Sequence, residues 1–489
     1  MFSPSKVIIV KGNNFEYPEP PFNPPVVYPE LTKIDIIKDI DTNNNVYKMV
    51  REGFRLAGFD LANYGTKEWN PLRFLVRPGE TVFIKPNMIA EKHKYNNDWN
   101  YVITNGSFVR VIIDYLFLAM DGKGKIMIGD APQTDSKYWE IVRLMGLREI
   151  RQLYSKFEDF DVELLNLQDE YWITKDDIYI DTIPLPGDPR GSVIFNLKQN
   201  SYFSELDGKD IKFYGAHYDI EETNIAHSKG NNIYVIAKSP LIADVFINLP
   251  KLKTHKKCGI TVNLKSLVGI NANKNYLPHY IFGSPDVGGD QFDKQEIKKE
   301  LENILVPKIK KILLTKNKLV QLLSRKLKKL AYKIFGDTEK VIRSGNWIGN
   351  DTVWRMSLDL NRILLYGNVN GTLSQNKRKR YFSIVDGIVS MEGNGPVAGE
   401  PKNTGLIIMG LDPVAVDAVA AKLMGFKIDK LKIVLNAFEN NEFPISQVNY
   451  DDIECISNFR QWNKSLKDFK PSDSLRFKPH FGWKELVDY

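Results

Sequence analysis

Cysteine is scarce: Cys258 and Cys455 are the only two in 489 residues. Two thiols cannot hold a cysteine-ligated iron–sulfur cluster or a four-cysteine zinc site alone, so an iron–sulfur cofactor is not expected. A disulfide framework is equally unexpected, and a reducing cytoplasm fits this usage. No apolar run reaches about 18 residues, so no membrane span is expected. The opening MFSPSKVIIVKG lacks a long apolar segment followed by a small-residue cleavage site, which argues against a signal peptide. GxGxxG, Walker A, HExxH and GxSxG patterns are all missing. Redox chemistry is therefore the least supported class, for want of ligands or a dinucleotide motif.

What is present is an ordinary soluble composition, 43% hydrophobic, in a chain too long for one simple core. Strand, helix and strand alternate: Thr81 to Asn87, Ser107 to Met120, Lys125 to Asp130, then a short helix from Trp139 to Leu147. This spacing predicts βαβ units, and hence an α/β fold with a mainly parallel mixed sheet, flanking helices and a helical insertion. The expected divisions are an N-terminal segment with a proline-rich linker (1–75), a first core part (76–290), a basic insertion (291–344), a second core part (345–430) and a tail (431–489). The proline-rich stretch EYPEPPFNPPVVYPE reads as extended linker or surface packing. His217 and His227 read as structural or surface residues.

Positive charge is concentrated in one place. Residues 293–340 carry 14 Lys/Arg against 6 Asp/Glu, a net +8, while the whole chain is +7. This segment reads as basic helix, either with a solvated face or able to contact an anionic membrane surface or a partner. Nucleic acid is a weaker reading, because no aromatic platform accompanies the charge.

The densest chemistry lies in ADVFINLPKLKTHKKCGITVNLKSLVG, residues 243–269. It reads as a strand, a cationic loop and a helix beginning after Gly259. In an extended loop Lys251, Lys253 and His255 would share one side, with Leu252 and Thr254 on the other. Thr261 and Lys265, four apart, would extend that surface from the helix, along with Asn263. Such donors favour a phosphate or carboxylate. Neighbouring cations would also lower the pKa of Cys258, although a space-filling role suits it better.

Acids and amides stand at other expected strand ends. Asp130 and Asp386 could hold a divalent metal, and Lys85 and Asn87 follow a third strand. Glu392 and Asn394 sit in EGNGP, whose glycines let backbone approach a ligand. Asp412 before Pro413 reads as a helix N-cap, and Asp417 as helix-start electrostatics. Asp359 and Arg362 are spaced for an ion pair.

The site is thus expected where strand ends meet. Lys85, Asn87, Lys251, Lys253, Thr254, Asn263, Lys265 and Asn394 would bind a small anionic ligand. His255 or Glu392 would move a proton, and Asp130 and Asp386 would hold any metal. The leading expectation is an enzyme on a small phosphorylated or carboxylated metabolite. The rivals are a non-catalytic anion-binding or assembly protein and a membrane-surface accessory protein.

The motif NLPKLKTHKKCGITVNLKSLVG, with IKPN, IGDAP and DGIVSMEGNGPVAGEP…LDPVAVDAVAAKLMG, resembles the domain-of-unknown-function 362 family. GNWIGNDTVWRMSLDLNRIL and the closing FGWK resemble a longer bacterial branch of it. The resemblance runs from about Thr81 to the C-terminus and implies no activity, since the family is named for lacking an assigned one. Some members add a ferredoxin-like cysteine domain. This chain has no such cysteines, so cluster binding does not carry over, and Cys258 is not part of the shared pattern. The strand–KTH–glycine–lysine order is also faintly similar to the lactate racemase family, a fold-level likeness that licenses no nickel cofactor.

Overall fold

The computed structural model describes residues 2–37, 39–175, 178–215, 219–296 and 340–488. His217 and nearly all of the basic 293–340 segment lie outside the described residues.

A ten-stranded mixed sheet organises the chain. Its strands are β1 (Lys6–Lys11), β2 (Thr81–Pro86), β3 (Gly124–Asp130), β4 (Phe160–Asn166), β5 (Val245–Leu249), β6 (Lys251–His255), β7 (Gly259–Thr261), β8 (Arg380–Glu392), β9 (Glu400–Gly410) and β10 (Glu454–Ser457). Eight of them run in the order β10-β1-β9-β8-β5-β2-β3-β4, while β6 pairs with β8 and with β7. From β8 through β5, β2 and β3 to β4 every pairing is parallel; β9 is antiparallel to both its neighbours.

Alternating side chains feed two cores. Val82, Ile84, Ile126, Ile128, Val245 and Ile247 face one. Phe83, Met127 and Phe246, one residue out of step, face the other. Burial on both faces is what a parallel sheet requires, and it explains the nearly continuous apolar strands. Helices α1 (Asn45–Leu56), α2 (Gly106–Ala119), α3 (Tyr138–Leu144) and α4 (Leu147–Tyr154) cover the first face. Helices α5 (Asn263–Ser266), α6 (Val353–Tyr366) and α7 (Pro413–Met424) cover the second. The helix expected from Trp139 to Leu147 is two helices, broken at Gly146, whose φ of 59° is left-handed.

Chain direction marks a candidate place for a site. From β2 the chain moves outward to β3 and β4, then returns to put β5 on the other side of β2. The helix after β2 covers one face and those after β5 cover the other, so strand order reverses between β2 and β5. In open parallel sheets ligands bind in the crevice beyond the strand ends at such a reversal.

Several local readings change. The cationic loop is a β-hairpin: β6 pairs antiparallel with β7, Lys253 opposite Thr261 and His255 opposite Gly259. Pro250 only kinks the chain, because β6 takes over from β5 as the partner of β8. For the same reason Asp386 lies inside a 13-residue strand that ends at Glu392. Thr261 and Lys265 consequently do not share a helix; α5 begins at Asn263. Asp359 does not pair with Arg362. It accepts from Ser201, the Tyr202 N–H and Tyr234, while Arg362 donates to backbone carbonyls of Asn200 and Phe443. Asp412 caps α7 by accepting from Val414 and Ala415 N–H groups. His227 is buried, bonded to the Tyr276 carbonyl and Asn232. The proline-rich stretch buries Phe22 in the first core.

Candidate functional site

The alternation of β6 survives in space. Lys251 and Lys253 are fully buried, and His255 retains 6% of its surface. Each meets different partners. Lys251 Nζ lies 2.9 Å from Asp386 Oδ2 and donates to Tyr17 Oη at 2.7 Å. Tyr17 donates in turn to Asp386 Oδ1 at 2.7 Å, and the Asn105 N–H reaches Oδ2 at 3.0 Å. Burial, then the Asp386 charge, push the Tyr17 phenol well above its usual range. Lys251, Tyr17 and Asp386 therefore form a closed structural network.

Lys253 points to the reversal. Its ammonium donates to the carbonyls of Val102 (2.7 Å) and Pro396 (3.3 Å) and lies 3.5 Å from Asn87 Oδ1. Asn87 ties the two strand ends together through its N–H to the Leu249 carbonyl at 3.2 Å. Next to it Lys85 Nζ is 3.0 Å from Asp130 Oδ1, and Asp130 Oδ2 accepts from the Met88 N–H at 2.9 Å. Gly269 closes over this pair, with its carbonyl accepting from Ala131 N–H at 2.7 Å.

Two further lysines complete the cluster. Lys274 donates to the Val268 and Asn271 carbonyls at 2.9 and 3.0 Å, and burial pushes it down to about 7. Lys265 has no hydrogen-bond or ion-pair partner among the described residues. Lys85, Lys253, Lys265 and Lys274 retain 1%, 0%, 8% and 5% of their surface. All four ammoniums are depressed below their usual value, by burial first. Asp130 is the carboxylate whose charge acts on all four, and Asp169 adds to Lys274. Lys265 is the common neighbour, felt by Lys253, Lys274 and His255.

The His255 tautomer follows from one bond. The Lys257 N–H can only donate, and it reaches His255 Nδ1 at 3.1 Å. Burial, then Lys265, hold the imidazole well below its usual pKa, so it is neutral with its proton on Nε2. The Nε2–H of His255 is thus a donor. Thr261 Oγ1, on the strand facing Lys253, is buried and has no hydrogen-bond partner among the described residues.

Other expected site residues lie elsewhere. Asn263 is held by Asp417, whose Oδ1 accepts from its N–H and Nδ2 at 2.9 Å, and by Tyr381. Asp417 also accepts from Leu264 N–H, so it caps α5 across space. Thr254 donates to the Gly393 carbonyl and anchors EGNGP to β6. Glu392 pairs with Lys402 at 2.9 Å and accepts the Lys478 N–H at 3.0 Å. Asn394 lines a separate open pocket of about 520 Å³ with Lys478, Pro479 and Phe481. The Cys258 thiol donates to the Ile260 carbonyl, and burial pushes it up to about 12 despite the cations nearby, which rules out a resting thiolate.

The metal expectation meets two obstacles. Asp130 and Asp386 stand on β3 and β8, three strand spacings apart, roughly 14 Å, and each carries its own lysine. No group of three His, Cys, Asp or Glu able to hold a metal exists among the described residues. No helix among them is long and apolar enough to cross a membrane.

Tyr17, Lys274 and Gly269 were not among the expected site residues. Tyr17 sits in a proline-rich stretch, and Lys274 among asparagines, so neither carries a periodic signal. Gly269 ends the motif that drew attention, but its contact with Asp130 is visible only in space.

Of the comparisons with known proteins, the family match alone bears on the motif. A crystal structure of a Thermotoga maritima protein, a Northeast Structural Genomics Consortium target, aligns at 9% identity and a TM-score of 0.30, over 76% of this chain and 58% of that one. No curated protein matches the chain. The family described as Domain of unknown function (DUF362) matches residues 185–422, which hold the β6–β7 hairpin, Lys265, Lys274, Asp386 and EGNGP. Residues 185–422 of this chain thus match the domain of that family.

Proposed function

We propose that the protein is an enzyme acting on a small anionic metabolite, phosphorylated or carboxylated, bound beyond the ends of β2, β3 and β5. One observation carries the reading: four buried lysines share the charge of Asp130. Buried charge that is not matched is costly, and an anion offsets that cost. Donors remain for it in Lys265 Nζ, His255 Nε2–H and Thr261 Oγ1. A phosphate or carboxylate accepts from several such donors at once.

The test is the melting temperature of the purified protein with inorganic phosphate, pyruvate and dihydroxyacetone phosphate. At least one should stabilise the wild type, and Lys265→Met and His255→Ala should lose that response while remaining folded by circular dichroism. An unchanged response in both variants would sink the assignment.

A second reading, non-catalytic anion binding, is favoured by Glu392. Its ion pair with Lys402 and the bond it accepts from the Lys478 N–H keep that carboxylate engaged rather than free to serve as a base. Glu392→Gln separates the two once a turnover assay exists: a large loss of rate supports catalysis through that residue.

A further inference from the structure

Lys265 differs from the other buried lysines. Lys85, Lys251, Lys253 and Lys274 all donate to oxygen acceptors. Lys265 donates to none among the described residues and keeps slight access to solvent. An ammonium with no acceptor, surrounded by other ammoniums, is the least favourable place to keep a proton. The free amine then has an unengaged lone pair. A desolvated lysine beside fixed cations is one arrangement that activates the amine towards carbonyl carbon. Its position is also fixed, because Asp417 caps the short helix that carries it.

We propose that Lys265 is a covalent catalytic residue that forms a Schiff base with a small oxo acid or oxo phosphate. This rests on the anion reading above, with Lys85, Lys253 and Lys274 supplying the field that draws in the anionic group. The Nζ lone pair attacks the carbonyl carbon, and the C=O π pair moves to oxygen. His255 Nε2–H donates a hydrogen bond to that oxygen as its charge grows. A proton passes from nitrogen to oxygen to give the carbinolamine. The hydroxyl takes one proton from solvent and leaves as water while the C=N bond forms. Amine, carbonyl compound and one proton thus give a protonated imine and water, with nothing oxidised or reduced.

The experiment treats the full-length protein with pyruvate or dihydroxyacetone phosphate and sodium cyanoborohydride, then maps modified lysines by mass spectrometry. A parallel arm uses limiting formaldehyde, the smallest carbonyl, at neutral pH. A reduced adduct of one of the two metabolites is expected at residue 265. Formaldehyde should methylate Lys265 faster than a typical surface lysine, because a pKa lowered by burial leaves more of it as free amine. Formaldehyde labelling no faster than at the surface overturns the proposal, as does absence of both metabolite adducts at that residue. If the adducts are absent while phosphate still stabilises wild type but not Lys265→Met, the covalent role falls and the anion reading stands.

Discussion

A side-chain carbon on Gly269 would fall 1.6 Å from Asp130 Oδ1 and 2.9 Å from Lys85 Nζ. The glycine is therefore the lid under which that ion pair fits. Gly269→Ala must displace the pair or the backbone above it. Overpacking and a disturbed buried charge pair together predict a loss of about 3 kcal/mol. Urea unfolding would measure it, and a loss below 1 kcal/mol, the low end for overpacking, would show that the turn can yield.

Tyr17 links the N-terminal segment to Lys251 on β6 and Asp386 on β8. Tyr17→Phe removes one donor to Asp386 and one acceptor for Lys251, and should cost about 1–2 kcal/mol. Asp386→Ala leaves Lys251 buried without its carboxylate and should cost about 3–5 kcal/mol. The ratio matters more than either value. Equal losses would mean that the phenol, and not the ion pair, holds the network together.

Asp417 supports Lys265 from a distance in sequence. Asp417→Ala takes three hydrogen bonds from the start of α5 and should destabilise by about 2 kcal/mol. It should also weaken any ligand response that depends on Lys265, without altering the lysine itself. Isothermal titration with the stabilising anion checks this, and unchanged affinity would detach the cap from the site.

The buried lysines predict an unusual pH profile. Lys274 is pushed down to about 7, whereas a lysine in the unfolded chain holds its proton to about 10.4. Between those values the unfolded chain binds more protons, so stability rises with pH, by up to about 1.4 kcal/mol per unit for each such proton. Asp417 and Glu170, pushed up to about 7, act in the opposite sense, since stability falls as pH rises from the usual carboxylate range. Their contribution is spent near 7. From pH 7.5 to about 8.5, below the range where the raised thiols of Cys258 and Cys455 oppose it, the melting temperature should therefore climb, and Lys274→Met should flatten the slope. A wild-type melting temperature that falls across this window would contradict the buried cations.

Much of the fold was legible because parallel strands buried on both faces leave unbroken apolar runs, as in Thr81–Pro86 and Val245–Leu249. The lysines of β6 stood out for their spacing, and strand alternation did put Lys251, Lys253 and His255 on one side. The hairpin was hidden, because nothing in Gly259–Thr261 distinguishes three strand residues from a helix start. Long-range pairings left no local trace. Asp417 reads as a residue of its own helix, yet it caps one about 150 residues earlier. Asp386 looks like a strand end only because its strand changes partner beside it.

The position of β1 has a consequence for synthesis. Lys6–Lys11 pairs with Glu400–Gly410 on one side and Glu454–Ser457 on the other. Its apolar residues leave the ribosome well before these neighbours, which emerge some four hundred residues later. At roughly 5–20 residues per second this strand waits for tens of seconds with both edges open. During that interval the nascent chain is a natural client for chaperones that shield unpaired strands, and the yield of folded protein should depend on them more than the stability of the finished sheet does.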